Sequence, residues 1–173
     1  MKKFFGFCLL TMLNFIFAIS NNPVTNFNAQ RYLGSWYEVA RLNYVFEYLC
    51  SPPIIADYSL DVNTKNVIIK NTCNFIKDNT VSVSGIGVFS EGDTVGLLNI
   101  TFAPEWARDL NFLYADYRVL DTDYDSYALV GSASKKYLWI LSRNRTLDTT
   151  KLQELVNEAS QIGYDTDKLL YMN

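Results

Sequence analysis

The chain of 173 residues contains no histidine. This absence excludes a Ser-His-Asp triad and a Cys-His nucleophile pair. It also excludes histidine-ligated zinc and histidine-bound haem iron. Any acid–base chemistry would fall to carboxylates, lysine, tyrosine or cysteine. We expect no metal site and no cofactor.

Charged residues are also scarce, at 19% of the chain, and the formal net charge is −3. Lysine and arginine are dispersed, so nucleic acid is not an expected partner. Aromatic residues are abundant instead, with 12 Tyr, 11 Phe and 3 Trp. So much apolar surface calls for β-structure or a lined cavity. The length predicts a single domain with a substantial core.

Residues 1–20 predict a secretory signal peptide that is cleaved near Ser20. Two lysines precede an almost wholly apolar run at 4–17, and small residues precede the cleavage point. The run is too short to favour a membrane helix, although an uncleaved anchor is the alternative. Cys8 lies inside the apolar run, so we expect no lipid anchor. The mature domain, 21–173, is then periplasmic or extracellular.

Eight short runs rich in Val, Ile, Tyr and Phe follow, with turns between them. Their hairpin-length connections predict an antiparallel all-β fold, either a barrel or a sandwich. A barrel of eight strands has room for one small ligand, whereas a sandwich fills that space with side chains. The predicted strands are 36–42, 54–60, 67–73, 81–89, 97–102, 114–121, 127–132 and 137–142.

The apolar pattern changes to helical spacing after the eighth run. Asp148 is a predicted N-cap and Gly163 a predicted C-terminal stop. Between them the spacing predicts one amphipathic helix of about four turns that packs outside the sheet. A short final strand is predicted at 168–172. The apolar stripe of the helix consists of Leu152, Leu155, Val156 and Ala159.

Three short segments, occurring in order, resemble the lipocalin family. They are the Gly34-Ser35-Trp36 opening, the Thr122-Asp123-Tyr124 turn and Arg143 at the end of the last barrel strand. The resemblance spans 26–172 and is greatest to the bacterial outer-membrane lipocalin and apolipoprotein D. It implies an eight-stranded antiparallel up-and-down β-barrel, the lipocalin calyx, with one C-terminal α-helix packed outside. It also assigns these signature residues to structure, with Trp36 across the closed end and Arg143 stacked on it.

The resemblance and strand alternation together predict which residues line the cavity. The set is mostly apolar with small residues mixed in, which suits an acyl chain or another lipophilic molecule. The alternative is that the aromatic side chains simply fill the barrel. The predicted lining residues are Glu38, Ala40, Ile54, Ala56, Tyr58, Val67, Ile69, Asn71, Val83, Gly85, Gly87, Phe89, Leu98, Ile100, Phe102, Tyr117, Val119, Tyr137, Trp139 and Leu141.

Glu38 is the one carboxylate predicted to point inward. A buried carboxylate is costly unless it is paired or protonated. One interpretation is a hydrogen bond to a side chain deep in the lumen, such as that of Tyr117 or Asn71, and we favour it. The other is a polar anchor for a neutral or cationic head group.

Cys50 and Cys73 are the two cysteines of the predicted mature chain. They lie at the adjoining ends of the second and third predicted strands, and an even pair in an exported chain predicts a disulfide. The alternative is a reactive thiol in the cavity.

The segment 103–111 connects the fifth and sixth strands at the predicted open end. Its apolar residues Trp106 and Leu110 allow four interpretations: a lid, a surface that touches a membrane transiently, a homodimer surface, or a tryptophan folded over the rim. The nearby aspartates alternate along a strand or belong to a turn, so no calcium site is expected.

Three functions follow. The first is binding, storage or transport of a small hydrophobic ligand, such as a fatty acid or lysophospholipid, without covalent chemistry. The second is a lipid-modifying enzyme that would use Glu38 or Cys73. The third is a secreted interaction protein with an incidental cavity. The chain favours the first, because it has no histidine and its mature cysteines are predicted to be bridged.

Overall fold

The computed structural model describes residues 20–42, 50–75 and 79–172. The predicted signal peptide, apart from Ser20, lies outside the described residues. Within these residues, one short helix and eight strands precede the predicted C-terminal helix and a ninth strand follows it, as expected for an all-β fold. The elements are α1 Ala29–Tyr32, β1 Gly34–Leu42, β2 Ser51–Leu60, β3 Val67–Phe75, β4 Asn79–Phe89, β5 Leu97–Thr101, β6 Ala115–Thr122, β7 Tyr127–Gly131, β8 Leu138–Ser142, α2 Thr149–Ile162 and β9 Leu169–Tyr171.

The strands form one antiparallel sheet in the order β2-β3-β4-β5-β6-β7-β8-β1-β9. An additional pairing between β1 and β2 closes the first eight strands into a barrel, so the predicted barrel is confirmed and the sandwich is excluded. Only the first half of β1 pairs with β2, from Gly34 to Tyr37. The second half, from Ala40 to Leu42, pairs with β9.

Helix α2 packs against the outside of the barrel, as predicted. The Asp148 side chain accepts a hydrogen bond from the Lys151 N–H, and Gly163 ends the helix in the left-handed conformation with φ of 103°. Leu155, Val156, Ala159 and Ile162 bury the apolar stripe against the outer faces of β1, β7 and β8. No helix of the described residues is long and apolar enough to cross a membrane.

A second buried cluster fills the closed half of the barrel. It joins Trp36 from β1 and Tyr58 from β2 to Tyr117 and Val119 from β6. Residues of the irregular N-terminal segment and of α1 cap it, with Phe27 and Tyr32 as the largest. The closed end is therefore packed both by side chains of the strands inside the barrel and by the segment that caps it.

A β-bulge interrupts strand β1 between Glu38 and Ala40. Glu38 lies opposite Leu141 on the inner face, whereas Ala40 lies opposite Ile140 in the cluster beneath the helix. The predicted position of Ala40 in the lumen is therefore wrong. The extra residue reverses the alternation of the strand, and Arg41 points inward instead.

Candidate functional site

The closed end of the barrel is held by Trp36 and Arg143. The Trp36 side chain is fully buried, and its Nε1 donates a hydrogen bond of 2.8 Å to the Tyr32 carbonyl. The guanidinium carbon of Arg143 lies 3.6 Å from the centre of the Trp36 ring, a cation–π contact. These two side chains therefore seal the floor, which agrees with the structural role that the resemblance implies.

Arg143 also satisfies backbone carbonyls around that floor. It donates to Arg31 O at 2.8 Å, Tyr124 O at 2.9 Å and Ser35 O at 3.0 Å. Gly34 has φ of 95°, and a Cβ there would lie 3.4 Å from Arg143 Nη1. Glycine adopts this backbone conformation without the strain that a side chain would bring, and the φ angle, not the contact, requires it.

The turn between β6 and β7 is organised by Thr122 and Asp123. The Asp123 carboxylate accepts hydrogen bonds from the backbone N–H groups of Asp125, Ser126 and Tyr127. Burial alone would raise the pKa of Asp123, but these bonds and one from the Ser126 hydroxyl outweigh it and lower the pKa. Tyr124 follows with φ of 70° and lies beneath the guanidinium of Arg31.

Three buried tyrosines form a hydroxyl cluster at the floor of the lumen. The Tyr117 hydroxyl lies 2.7 Å from that of Tyr32 and 2.9 Å from that of Tyr58. Burial raises the pKa of Tyr58 to about 12 and the pKa values of Tyr32 and Tyr117 well above 10. All three hydroxyls therefore stay protonated, and able to donate, at physiological pH.

These raised pKa values predict a loss of stability in alkali. The unfolded chain releases tyrosine protons near pH 10, whereas folded Tyr58 keeps its proton to about pH 12. The stabilisation is thus complete below pH 10 and is lost as the pH rises towards 12, by up to about 1.4 kcal/mol per pH unit for each tyrosine. The melting temperature of the wild type should fall between pH 8 and pH 11.5. The melting temperature of the Tyr58→Phe variant should fall less steeply over the same range. Ionisation of all tyrosines together near pH 10 in the folded protein, followed by absorbance at 295 nm, would contradict this.

Most of the predicted lining residues lie inside the barrel, in or against one cluster. Their contact with a ligand stays a prediction. Gly87 lies against Ile69, Leu98 and Ile100, so it belongs to the same interior. Those that pack in or against the inner cluster are Ala56, Tyr58, Val67, Ile69, Phe89, Leu98, Ile100, Tyr117, Val119, Trp139 and Leu141.

Glu38 lies inside the barrel but has a partner that the sequence reasoning missed. Arg41 Nη1 donates to Glu38 Oε1 at 2.7 Å, and both side chains are buried. The Tyr117 hydroxyl bonds to other tyrosines instead. The lumen therefore contains an ion pair whose net charge is zero, and not a lone carboxylate.

The inner face nearer the mouth is apolar and open to solvent. Val83 is 55% exposed although it lies on the same face of β4 as buried Gly85 and Gly87. Phe102 lies across Gly85 and is 41% exposed. A Cβ on Gly85 would come within 2.4 Å of the Thr101 carbonyl and 2.7 Å of the Phe102 ring, so glycine is required there. Ile54 is half-buried on β2.

Little free space remains at the floor. The cavity there has a volume of about 10 Å³ and is lined by the three clustered tyrosines and apolar residues of β3, β4 and β5. That is close to the least space that holds one water molecule. Aromatic side chains therefore fill the closed half of the barrel, and among the described residues the apolar inner surface that faces solvent lies in the upper half.

A second cavity lies at the rim of the open end. It measures about 380 Å³, within the range of small-molecule sites. Predicted lining residue Tyr137 lies here, stacked on Trp139 with ring centres 6.0 Å apart. The residues around the cavity are Phe112, Leu113, Tyr114, Ala115, Asp116, Ser132, Ser134 and Tyr137.

The connection between β5 and β6 carries two short 3-10 helices, Glu105–Ala107 and Asn111–Leu113. Trp106 is 84% exposed and Phe112 is 79% exposed. The interpretation in which Trp106 folds over the rim is therefore wrong.

Cys50 and Cys73 form a disulfide with a Cα–Cα distance of 5.5 Å, as predicted. The bridge joins the mouth-side ends of β2 and β3. Among the described residues, no three cysteine or acidic side chains are placed to hold a metal ion.

Five interior residues escaped the sequence reasoning. Arg41 enters through the bulge, and Phe27 and Tyr32 come from the irregular N-terminal segment. Ala128 and Val130 belong to β7, where the alternation used for the other strands would have found them.

The sequence is similar to those of known proteins with a lipocalin-like domain. A family model described as a lipocalin-like domain matches residues 27–173. Outer membrane lipoprotein Blc of Vibrio cholerae is 31% identical over 155 residues, which cover 88% of this chain and 86% of that protein. Blc of Escherichia coli K12 is 35% identical, over 86% of this chain and 80% of that protein. Apolipoprotein D of Cavia porcellus is 31% identical, over 86% and 78% respectively.

Solved structures share the fold. Insecticyanin from the tobacco hornworm Manduca sexta superposes with a TM-score of 0.66 at 20% identity, covering 88% of this chain and 83% of that one. At this identity the likeness concerns the fold alone.

Proposed function

The chain belongs to the lipocalin family, and we propose from that membership and the barrel geometry that it binds a small hydrophobic ligand for storage or transport. The ligand class is a fatty acid, a lysophospholipid or a similar lipid. Binding involves no covalent chemistry.

The solvent-open apolar inner face is the observation that carries this proposal. One end of the barrel is sealed by Trp36 and Arg143, whereas Val83 and Phe102 expose apolar surface at the other end. Apolar surface inside a rimmed concavity favours a lipophilic occupant. Burying an acyl chain there supplies about 0.8 kcal/mol per CH₂ group before ordering costs.

A tryptophan placed on this inner face should displace the ligand. We expect Val83→Trp to weaken binding of a fluorescent fatty acid at least tenfold, because the indole occupies the space that the chain would fill. Val88→Trp, on the outer face of the same strand, should change binding less than twofold. Native mass spectrometry should detect a copurified lipid in the wild type and in Val88→Trp.

Equal loss of binding in both variants would show that the inner face is not the site. A wild-type protein with neither copurified lipid nor uptake of the fluorescent fatty acid would overturn the proposed function itself.

Absence of catalysis is part of the proposal. Both cysteines of the described chain are consumed in the Cys50–Cys73 bridge, so neither supplies a free thiolate. Glu38 is ion-paired with Arg41. These contacts support the proposal that neither residue takes part in a lipid-modifying reaction.

The open end also suits transient contact with a membrane surface. Trp106 and Phe112 project from the β5–β6 connection, and indole rings favour the interface between lipid and water.

We expect the double variant Trp106→Ser and Phe112→Ser to reduce cosedimentation with phosphatidylcholine vesicles about tenfold, through lost apolar contact. Val62→Ser, which removes an exposed apolar side chain at the closed end, should not reduce it. Unaltered cosedimentation of the double variant would contradict membrane contact. Dissociation of a dimer by the same variant, measured by sedimentation velocity, would assign the surface to a homodimer.

The relatives named outer membrane lipoproteins support export of this chain. We propose cleavage of the leader near Ser20 into a periplasmic or extracellular form without a lipid anchor. Intact mass measurement of the exported chain tests both parts.

A further inference from the structure

The inner face next to the tyrosine hydroxyl cluster contains a polar atom without a partner. Asn71 is on β3, on the same face as buried Val67 and Ile69, and opposite Ala56 of the inner cluster. Its Oδ1 is buried and accepts no hydrogen bond in the part of the chain that the structure describes. Such an atom costs stability unless a ligand satisfies it.

The tyrosine cluster has one hydrogen-bond donor more than it uses, which complements the unpaired acceptor on Asn71. Three hydroxyls carry three hydrogens, and the two bonds among Tyr32, Tyr117 and Tyr58 use two of them. One hydroxyl hydrogen is left to donate, and all three tyrosines line a cavity of about 10 Å³. The space is the size of a single hydroxyl group or water molecule.

These two features lie in adjacent rows of the barrel. Tyr58 pairs with Ile69, and Asn71 follows two residues nearer the mouth. Two residues along a strand separate their Cα atoms by about 6.6 Å. A ligand hydroxyl that donates to Asn71 and accepts from the cluster would span two hydrogen bonds of about 2.8 Å each.

The charges inside the barrel argue against an ionised head group at this depth. Among the described residues, the inner face has one cation, Arg41, and it is bonded to Glu38 at 2.7 Å. A carboxylate brought to the tyrosine cluster would lose its hydration, and the Arg143 guanidinium at the floor is already stacked on Trp36 and bonded to backbone carbonyls.

We propose that the barrel takes an uncharged lipid alcohol with its hydroxyl leading, seated between Asn71 and the tyrosine cluster, with the apolar chain extending past Val83 and Phe102 to the mouth. This inference rests on the proposed function and names the polar group that reaches the floor. An ionised lipid keeps its head group at the mouth.

The test compares 1-dodecanol, dodecyl methyl ether and dodecanoate as competitors of the uncharged fluorescent probe N-phenyl-1-naphthylamine. The wild type should bind dodecanol at least tenfold more tightly than the ether, because only the alcohol donates to Asn71. Asn71→Leu should reduce that preference to less than threefold and change dodecanoate binding less than threefold. Asn99→Leu, the same substitution on an exposed position of β5, should preserve the preference.

Equal affinity of the wild type for the alcohol and the ether would contradict the inference that a hydroxyl group enters the barrel first. It would leave the proposed function unaffected. An equal loss of dodecanol and dodecanoate binding in Asn71→Leu would show general damage to the cavity, and would overturn the role of Asn71. Failure of all three competitors and of the probe to bind would instead overturn the proposed function.

Discussion

Trp36→Ala is expected to lower the free energy of unfolding by about 3–5 kcal/mol, the cost of removing a large buried aromatic side chain. The indole is fully buried, its ring centre lies 5.2 Å from that of Tyr32, and the guanidinium carbon of Arg143 lies 3.6 Å from the ring centre. Its removal opens a cavity and also deprives the guanidinium of a cation–π contact worth about 0.5–2 kcal/mol. Equilibrium unfolding in guanidinium chloride measures the change.

Trp106→Ala is the matched control, because the same substitution is made where the side chain is 84% exposed. Its free energy of unfolding should stay within about 0.5 kcal/mol of the wild-type value. If both variants lost the same stability, the closed end would not depend on the buried tryptophan.

The helix and the closed end could be predicted from the sequence, since each is specified by local chemistry. Asp148 and Gly163 are residues that begin and end helices, and the structure uses both in those roles. At the closed end, the Trp36 and Arg143 pair depends on a motif that the resemblance supplied.

The position of Ala40 could not be predicted, because a bulge carries no signature in an apolar run. Glu38 to Leu42 read as a regular strand, yet one extra residue turns Ala40 outward and Arg41 inward. The same shift creates the buried pair of Arg41 with Glu38. Alternation predicts faces only while the ladder stays in register.

Strand patterns also could not predict that side chains fill the closed end of the barrel. Phe27 and Tyr32 enter the barrel from a segment without a regular period. Backbone bonds from Val24 to Val119 and from Gly96 to Val24 hold that segment in place. Such long-range pairing depends on the finished barrel, so the tyrosine hydroxyl cluster becomes visible only in three dimensions.

Removal of the Cys50–Cys73 bridge is expected to cost about 3 kcal/mol in the free energy of unfolding. The two cysteines are separated by 23 residues, and cross-linking them limits the freedom of the unfolded chain that contains β2 and β3. The double variant Cys50→Ser and Cys73→Ser, made in the chain that begins at residue 21, should show this loss in guanidinium chloride. Because the two serines leave the apolar inner surface at Val83 and Phe102 unchanged, fatty-acid binding should persist under conditions where the variant is folded.

Reducing agent provides the control for this change. The reductant should lower the stability of the wild type towards that of the double variant and leave the variant itself unchanged, because only the wild type has a bond to reduce. Unfolded wild-type protein without reductant should contain no thiol that reacts with an alkylating agent. Two reactive thiols per chain would contradict the bridge and would return Cys73, which is buried on the inner side of β3, to the candidates for a catalytic nucleophile.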